Sequence, residues 1–323
     1  MGFHYWGDSL LSVRLSIFHP VGRRYGAFLF LFFALLFFAS EINAQPRTVV
    51  DLKDQIQTTL DSVEGDFAVA VRTLDDPTET LLLNEHEMFH AASTMKVPVM
   101  VELYRQAHEG RFSLDDSIEV KNEFRSIVNG SPYSLTPEDD SYEELYDHIG
   151  EKRSIRTLMR AMITVSSNLA TNILIEKVGA ERTTQTMREY GADSIQVRRG
   201  VEDMNAYRRG LNNETTAHDL LVILERIARG NAVSAEASSE MIDILKDQEY
   251  NDMIPARLPD SVDVAHKTGR ITGVRHDGGI VVVPDGPSYV LVLLSKNLRD
   301  ETAGIATLAR LSRLVFETVT DEG

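Results

Sequence analysis

Runs with the composition of β-strands lie toward both ends of this 323-residue chain, and the stretch between them has helical periodicity instead. Residues 67–74 and 80–83 read as two short strands separated by the turn-forming Asp75-Asp76-Pro77. Three more apolar runs follow far along the chain, at 262–268, 279–283 and 289–295, with Pro284-Asp285-Gly286-Pro287 turning between the last two. Residues 48–60 place Val49, Leu52, Ile56 and Leu60 on one helical face. A closing helix over 301–319 carries Ile305, Leu308, Leu311, Leu314, Val315 and Val319 as an apolar stripe. Helix, two strands, helical insert, three strands and helix suggest one antiparallel five-stranded sheet assembled from both ends. Its terminal helices would cover one face, and the insert would form a second lobe. The fold class is thus α/β (α+β) and two-lobed. The expected α/β lobe comprises residues 45–92 and 219–323, the helical lobe residues 93–218.

The first 44 residues stand apart. Residues 27–39 are continuously apolar, preceded by Arg23 and Arg24 and followed by Ile42-Asn43-Ala44, the layout of a secretory signal with cleavage near Ala44. The run is short for a transmembrane helix, which needs about 20 residues. An uncleaved membrane anchor is the alternative. The leader holds three arginines and two acids, so its removal takes the net charge from −16 to −17. So acidic a surface disfavours nucleic acid and anionic membranes. With no cysteine, the chain has neither disulfides nor thiolate metal ligands, which is compatible with an oxidising compartment. The expected location is periplasmic or secreted, with membrane contact only through the leader.

Three short elements carry chemistry: Ser93-Thr94-Met95-Lys96, Ser166-Ser167-Asn168 and Lys267-Thr268-Gly269. Pro98 lacks the amide that a helix interior needs, so a helix should start near Ser93. Lys96 then lies one turn on, on the same face, where an unprotonated amine can activate a hydroxyl that is weak at its own pKa. The plain alternative is a capping serine beside a surface lysine. Ser166-Ser167-Asn168 falls between two helical segments, where a serine can cap the second. Lys267-Thr268-Gly269 is expected to end a strand, with Gly269 allowing a ligand close to the backbone. Together they supply nucleophile, proton acceptor, proton shuttle and anion anchor without a catalytic histidine.

In this order, the elements resemble those of serine β-lactamases and penicillin-binding proteins, the class A β-lactamases in particular. The resemblance spans about residues 46–320 and includes Phe89-His90-Ala91-Ala92 and Asn172. It implies a β-lactamase/transpeptidase-like fold with Ser93 as nucleophile, Lys96 as base and Ser166 relaying a proton to the leaving nitrogen. Asn168 would bind a substrate amide, Lys267 set the electrostatics and Thr268 bond a carboxylate, while the amides of Ser93 and Arg270 would form an oxyanion hole. Arg275 is either a carboxylate partner or an exposed hairpin charge. Two departures stand out. Ser167 occupies a position where class A usually has Asp with a structural job, and the loop after Arg198 is shortened. There Glu202 is followed by Asn205 at three residues rather than four. Glu202 either holds the hydrolytic water or pairs with Arg198 or Arg199 and pins the loop. The acid-dense segment 136–152 reads as a solvated loop or exposed helix, part of a longer insertion.

A competing signature, His86-Glu87-Met88-Phe89-His90, matches the H-E-x-x-H zinc motif, but it precedes the Ser93 helix where a crossing loop is expected. No metal or cofactor is expected. The leading function is an exported β-lactamase acting as a monomer on small β-lactams. The alternatives are a D,D-peptidase acting on cell-wall peptides and a non-enzymatic penicillin sensor.

Overall fold

The computed structural model describes residues 49–320, so the leader and the cleavage expected near Ala44 lie outside the described residues. The strands of the central sheet are β1 (Asp66–Thr73), β2 (Thr80–Leu83), β3 (Asp263–Ile271), β4 (Val274–Val282) and β5 (Tyr289–Lys296). The helices are α1 (Val49–Leu60), α2 (Lys96–His108), α3 (Ile155–Thr164), α4 (Asn168–Val178), α5 (Ala180–Glu189), α6 (Met204–Tyr207), α7 (Ala217–Ala228), α8 (Ala235–Lys246) and α9 (Glu301–Val319).

The sheet runs β2-β1-β5-β4-β3 and is antiparallel throughout, so the N-terminal strands pair with the last strand in sequence. Strands β1 and β5 are apolar on both faces because both faces are covered. On β1, Phe67, Val69 and Val71 enter one core while Ala68 and Ala70 enter the other; on β5, Tyr289, Leu291 and Leu293 alternate with Val290, Val292 and Leu294. The first core is closed by Leu52, Ile56 and Leu60 of α1 and by Leu308, Leu311 and Val315 of α9. The second is continuous from the sheet through α7 into α2, α3, α4 and α8. The helical insert therefore has no separate core; it is welded to the sheet behind the edge strand β3.

Two strand expectations need correction. The run through Lys267-Thr268-Gly269 does not end there: β3 continues to Ile271 and turns through Thr272 and Gly273, the latter at φ +70°. Its partner β4 begins at Val274 rather than at Gly279. The first half of β4 was hidden by polarity, since it carries the fully buried His276 and Asp277. Asp277 accepts from the ring of His266 at 2.8 Å and from the Ile254 amide at 3.0 Å, and the His276 ring bonds the His90 carbonyl at 2.9 Å. Strand polar residues that find partners inside the fold escape hydropathy patterns.

Of the two readings of the acidic segment, a solvated loop or an exposed helix, the structure is nearer the second. The segment forms two 3-10 turns, Pro137–Asp139 and Glu143–His148, anchored by the buried side chains of Asp140 and Leu145.

Candidate active site

The chain enters the nucleophile turn through Ala92, whose φ is +46°, and makes a 3-10 turn over Ala92–Met95 before α2 begins at Lys96. Ser93 is therefore not the cap of α2; that position belongs to Met95, which offers no side-chain acceptor. Among the described residues the Ser93 side chain makes no hydrogen bond, and it lines a cleft of about 500 Å³. Pro98 sits in the first turn of α2, where its missing amide costs nothing.

Lys96 is fully buried. Its amine reaches the Ser166 carbonyl at 2.6 Å, the Asn168 Oδ1 at 3.1 Å and the Ser166 Oγ at 3.1 Å. Burial pulls its pKa down to about 7, opposed by the negative charge of Asp140. A neutral amine has two hydrogens and one lone pair. The two hydrogens match the carbonyl and the amide oxygen, neither of which can donate, and the lone pair then faces the Ser166 hydroxyl. Lys267, also fully buried, donates to the same hydroxyl at 3.1 Å and to the Thr268 carbonyl at 3.0 Å. Its pKa falls well below the usual lysine range, first through burial and then through the repulsion of Lys96. Ser166 thus joins two buried amines.

Ser166 has φ +60°, and Glu202 has φ +61°. Of the six non-glycine residues at positive φ among the described residues, three are Asn or Asp, which tolerate it. The other three, Ala92, Ser166 and Glu202, all line the cleft. Backbone strain is concentrated where the expected chemistry lies.

Edge strand β3 forms one wall. Thr268 and Arg270 line the cleft, and an edge strand leaves half its amides outside the ladder. Gly269 serves packing rather than ligand approach: a Cβ there would meet Thr94 Cγ2 at 3.1 Å and Ala92 Cβ at 3.2 Å. Its missing side chain lets the nucleophile turn press against the strand. The Arg270 guanidinium pairs with Asp252 and lies over the Tyr250 ring at 5.2 Å. Arg275 is neither a cleft group nor an exposed charge. It is half-buried, tied to Glu301 and to the carbonyls of Ile271 and Val274, and pins the β3–β4 hairpin.

The opposite wall is the loop after Arg198. Asn213 clamps its base, accepting from the amides of Arg198 and Arg199 at 2.8 and 3.1 Å and donating to the Arg199 carbonyl at 3.0 Å. Asn172 of α4 holds its middle, accepting from the Val201 amide at 2.7 Å and donating to the Val201 carbonyl at 3.0 Å. Glu202 follows immediately. It is exposed, lines the cleft and has no hydrogen bond or ion pair among the described residues. Arg198 is engaged by Glu214 at 2.6 Å, and Arg199 by carbonyls of the loop itself, so the expected pairing of Glu202 with either is absent. Asp203 is buried as the cap of α6 and bonds Ser126 and Ile127. Asn205 turns away to Ser131 at 3.0 Å. Met204 and Tyr207 of α6 face the cleft, with Ile271 also lining it; all three are exposed.

The H-E-x-x-H segment is not a helix. His86 lies in a turn and stacks on His218, while Phe89–His90 form a short strand paired with Glu214–Thr215. His90 accepts from the Ala92 amide at 3.0 Å. The two rings do not share the one helical face that the zinc motif requires.

The sequence pointed to Ser93, Lys96, Ser166, Asn168, Glu202, Lys267, Thr268 and Arg270, and the structure gathers them around one cleft. It did not point to Asp140, whose carboxylate accepts from the amides of Asn168 and Leu169 at 2.9 and 2.7 Å. Nothing separates Asp140 from its acidic neighbours in the sequence.

A five-stranded antiparallel sheet with its helices at one end of the chain and the other, and a helical insert against its edge, is the β-lactamase/transpeptidase fold. The chain belongs to the beta-lactamase enzyme family, whose model matches residues 51–319. A beta-lactamase of Bacteroides uniformis is 24% identical over 295 residues, 87% of this chain and 95% of that protein. The solved beta-lactamase of Chitinophaga pinensis matches at TM-score 0.73 and 24% identity, covering 83% of this chain and 98% of its own. The solved PBP-A matches at TM-score 0.70 and 26% identity, covering 83% of this chain and 95% of its own.

Proposed function

We propose that this protein is an exported serine β-lactamase that opens the β-lactam amide through an acyl-enzyme on Ser93. The observation that carries the reading is the convergence of two buried amines, Lys96 and Lys267, on the Ser166 hydroxyl in the cleft that Ser93 lines.

In this reading Ser93 Oγ attacks the lactam carbonyl carbon and its proton passes to the Lys96 amine, whose pKa burial holds near neutrality, once the Ser166 hydroxyl turns off the amine lone pair. The negative oxygen that forms faces the amides of Ser93 and Arg270. Cleavage of the C–N bond leaves a nitrogen that takes its proton from Ser166, which is re-protonated from the lysines. Asn168 Oδ1 is held by Lys96, so its amide hydrogens are left for a substrate carbonyl. Thr268 presents a hydroxyl to a substrate carboxylate, whose negative charge favours the protonated form of the Lys267 amine behind it. Water then attacks the ester, its proton going to Glu202, and Ser93 leaves with its hydrogen restored.

A D,D-peptidase with slow deacylation is the second reading, favoured by one observation: Asn205 faces Ser131, which leaves Glu202 without that amide beside it. The two separate on one experiment. The enzyme is incubated with a chromogenic cephalosporin while turnover and covalent mass are followed together. Fast turnover with little adduct supports the β-lactamase; stoichiometric adduct with negligible turnover supports the peptidase. Export rests on the leader, and a periplasmic protein whose N-terminus follows Ala44 is its test.

A further inference from the structure

We propose that Asp140, a carboxylate from the acidic insertion, is a positioning residue for acylation that clamps the first turn of α4 and so holds Ser166 and Asn168 against the Lys96 amine. This rests on the acyl-enzyme reading above.

Asp140 is buried, and both its oxygens are used. Oδ1 accepts from the Asn168 amide at 2.9 Å and the Tyr142 amide at 3.2 Å; Oδ2 accepts from the Leu169 amide at 2.7 Å and the Tyr146 hydroxyl at 3.0 Å. A helix leaves its first amides without intrahelical partners. Here Ser167, the cap, satisfies only one of them, the Ala170 amide at 3.2 Å. Asp140 takes the two before it. A carboxylate at that place also lies at the positive end of the helix dipole, and no lysine or arginine forms an ion pair with it among the described residues.

The consequence for the site is direct. All three oxygens around the Lys96 amine belong to Ser166 and Asn168, the residues on either side of the cap. Ser166 is held at positive φ, a conformation that persists only when its surroundings over-determine it. Without the carboxylate, the buried Leu169 amide and the half-buried Asn168 amide lose their acceptor, and the cheapest relief is for this strained corner to move. Such a movement would displace every partner of Lys96 at once. The insertion is therefore part of the active site, although only its carboxylate reaches there.

The test measures the rate of covalent labelling of Ser93 by a fluorescent penicillin in four proteins. Asp140→Asn keeps the volume but replaces one accepting oxygen by an NH2 donor, so one of the two helix amides meets a donor instead of an acceptor, and labelling should slow by about 10- to 100-fold, the scale of a small misplacement of reacting groups. Adding Ser167→Asp to Asp140→Asn should restore most of that rate, because a carboxylate at the cap itself reaches the amides of Leu169 and Ala170. Asp300→Ala, which removes the cap of α9, should lower thermal stability and leave labelling unchanged. Wild-type labelling in Asp140→Asn would overturn the proposal, as would failure of the cap carboxylate to rescue. If Asp140→Asn alone does not fold, the double variant decides: a folded, labelling protein supports the clamp, and any other result overturns it. Absence of labelling in the wild type would sink the acyl-enzyme reading instead. Amide exchange at Asn168 and Leu169 would then decide the clamp alone, with faster exchange in Asp140→Asn retaining it and unchanged exchange overturning it.

Discussion

Lys96 and Lys267 meet at one hydroxyl: each amine nitrogen lies 3.1 Å from Ser166 Oγ. Two ammonium groups at such distances, both buried, repel strongly in a medium of low dielectric. The pair is tolerated because at least one of the amines is neutral, and burial, outweighing the opposing charge of Asp140, moves Lys96 to about 7. The same relationship that disfavours two positive charges creates a base and a proton reservoir joined by a serine.

The pH dependence follows. Labelling of Ser93 by a penicillin should rise about tenfold per pH unit below 7, as Lys96 loses its proton, and level off above it. Stability should move in the same direction. With the folded-state pKa depressed, the unfolded chain binds more protons between about pH 7 and the ordinary lysine range, so this group's contribution improves as pH rises through that window. Stopped-flow labelling across pH checks the first claim, and a labelling rate that does not vary through neutrality would remove Lys96 as the base.

Glu202 stands free in the cleft, so its replacement should affect deacylation above all. Glu202→Gln is expected to acylate with a burst and then stall, its steady-state rate falling by about 2 to 4 powers of ten. Accumulated adduct in intact-protein mass spectra is the check. Unchanged turnover would make the loop structural and leave Lys96 as the base for both steps.

Gly200 reports on how that loop is held. A Cβ at this position would lie 2.6 Å from Asn172 Oδ1 and 2.8 Å from the Tyr133 hydroxyl, both within the clamp on Val201. Gly200→Ala should therefore cost about 1–3 kcal/mol of stability, as overpacking does, and slow hydrolysis of the ester more than its formation. Thermal melts combined with the ratio of burst to steady-state rate measure both effects.

Much of this architecture was legible because strands and helices follow simple periods. The stripe of α9 and the alternation of β1 and β5 are written in apolar residues that must be buried. What stayed hidden shares one cause: polar groups whose partners are distant in sequence. His276 and Asp277 conceal half of β4, Arg275 is captured by Glu301, and Asp140 reaches α4 from the acidic insertion. The motifs named the cleft residues Ser93, Lys96, Ser166 and Lys267. Their strained backbone, and the role of Gly269 in seating the nucleophile turn on β3, exist only once the chain has closed.

The central claim is that Ser93 becomes acylated, and intact-protein mass spectrometry tests it most directly. Wild-type enzyme and Ser93→Ala are mixed with a penicillin and quenched at short times. The Ser93 side chain bonds no other group among the described residues, so the variant should keep its fold by circular dichroism. The wild type should gain one penicillin mass, located on the peptide containing Ser93, while the variant gains none. An adduct of equal extent on a folded Ser93→Ala protein would contradict the account.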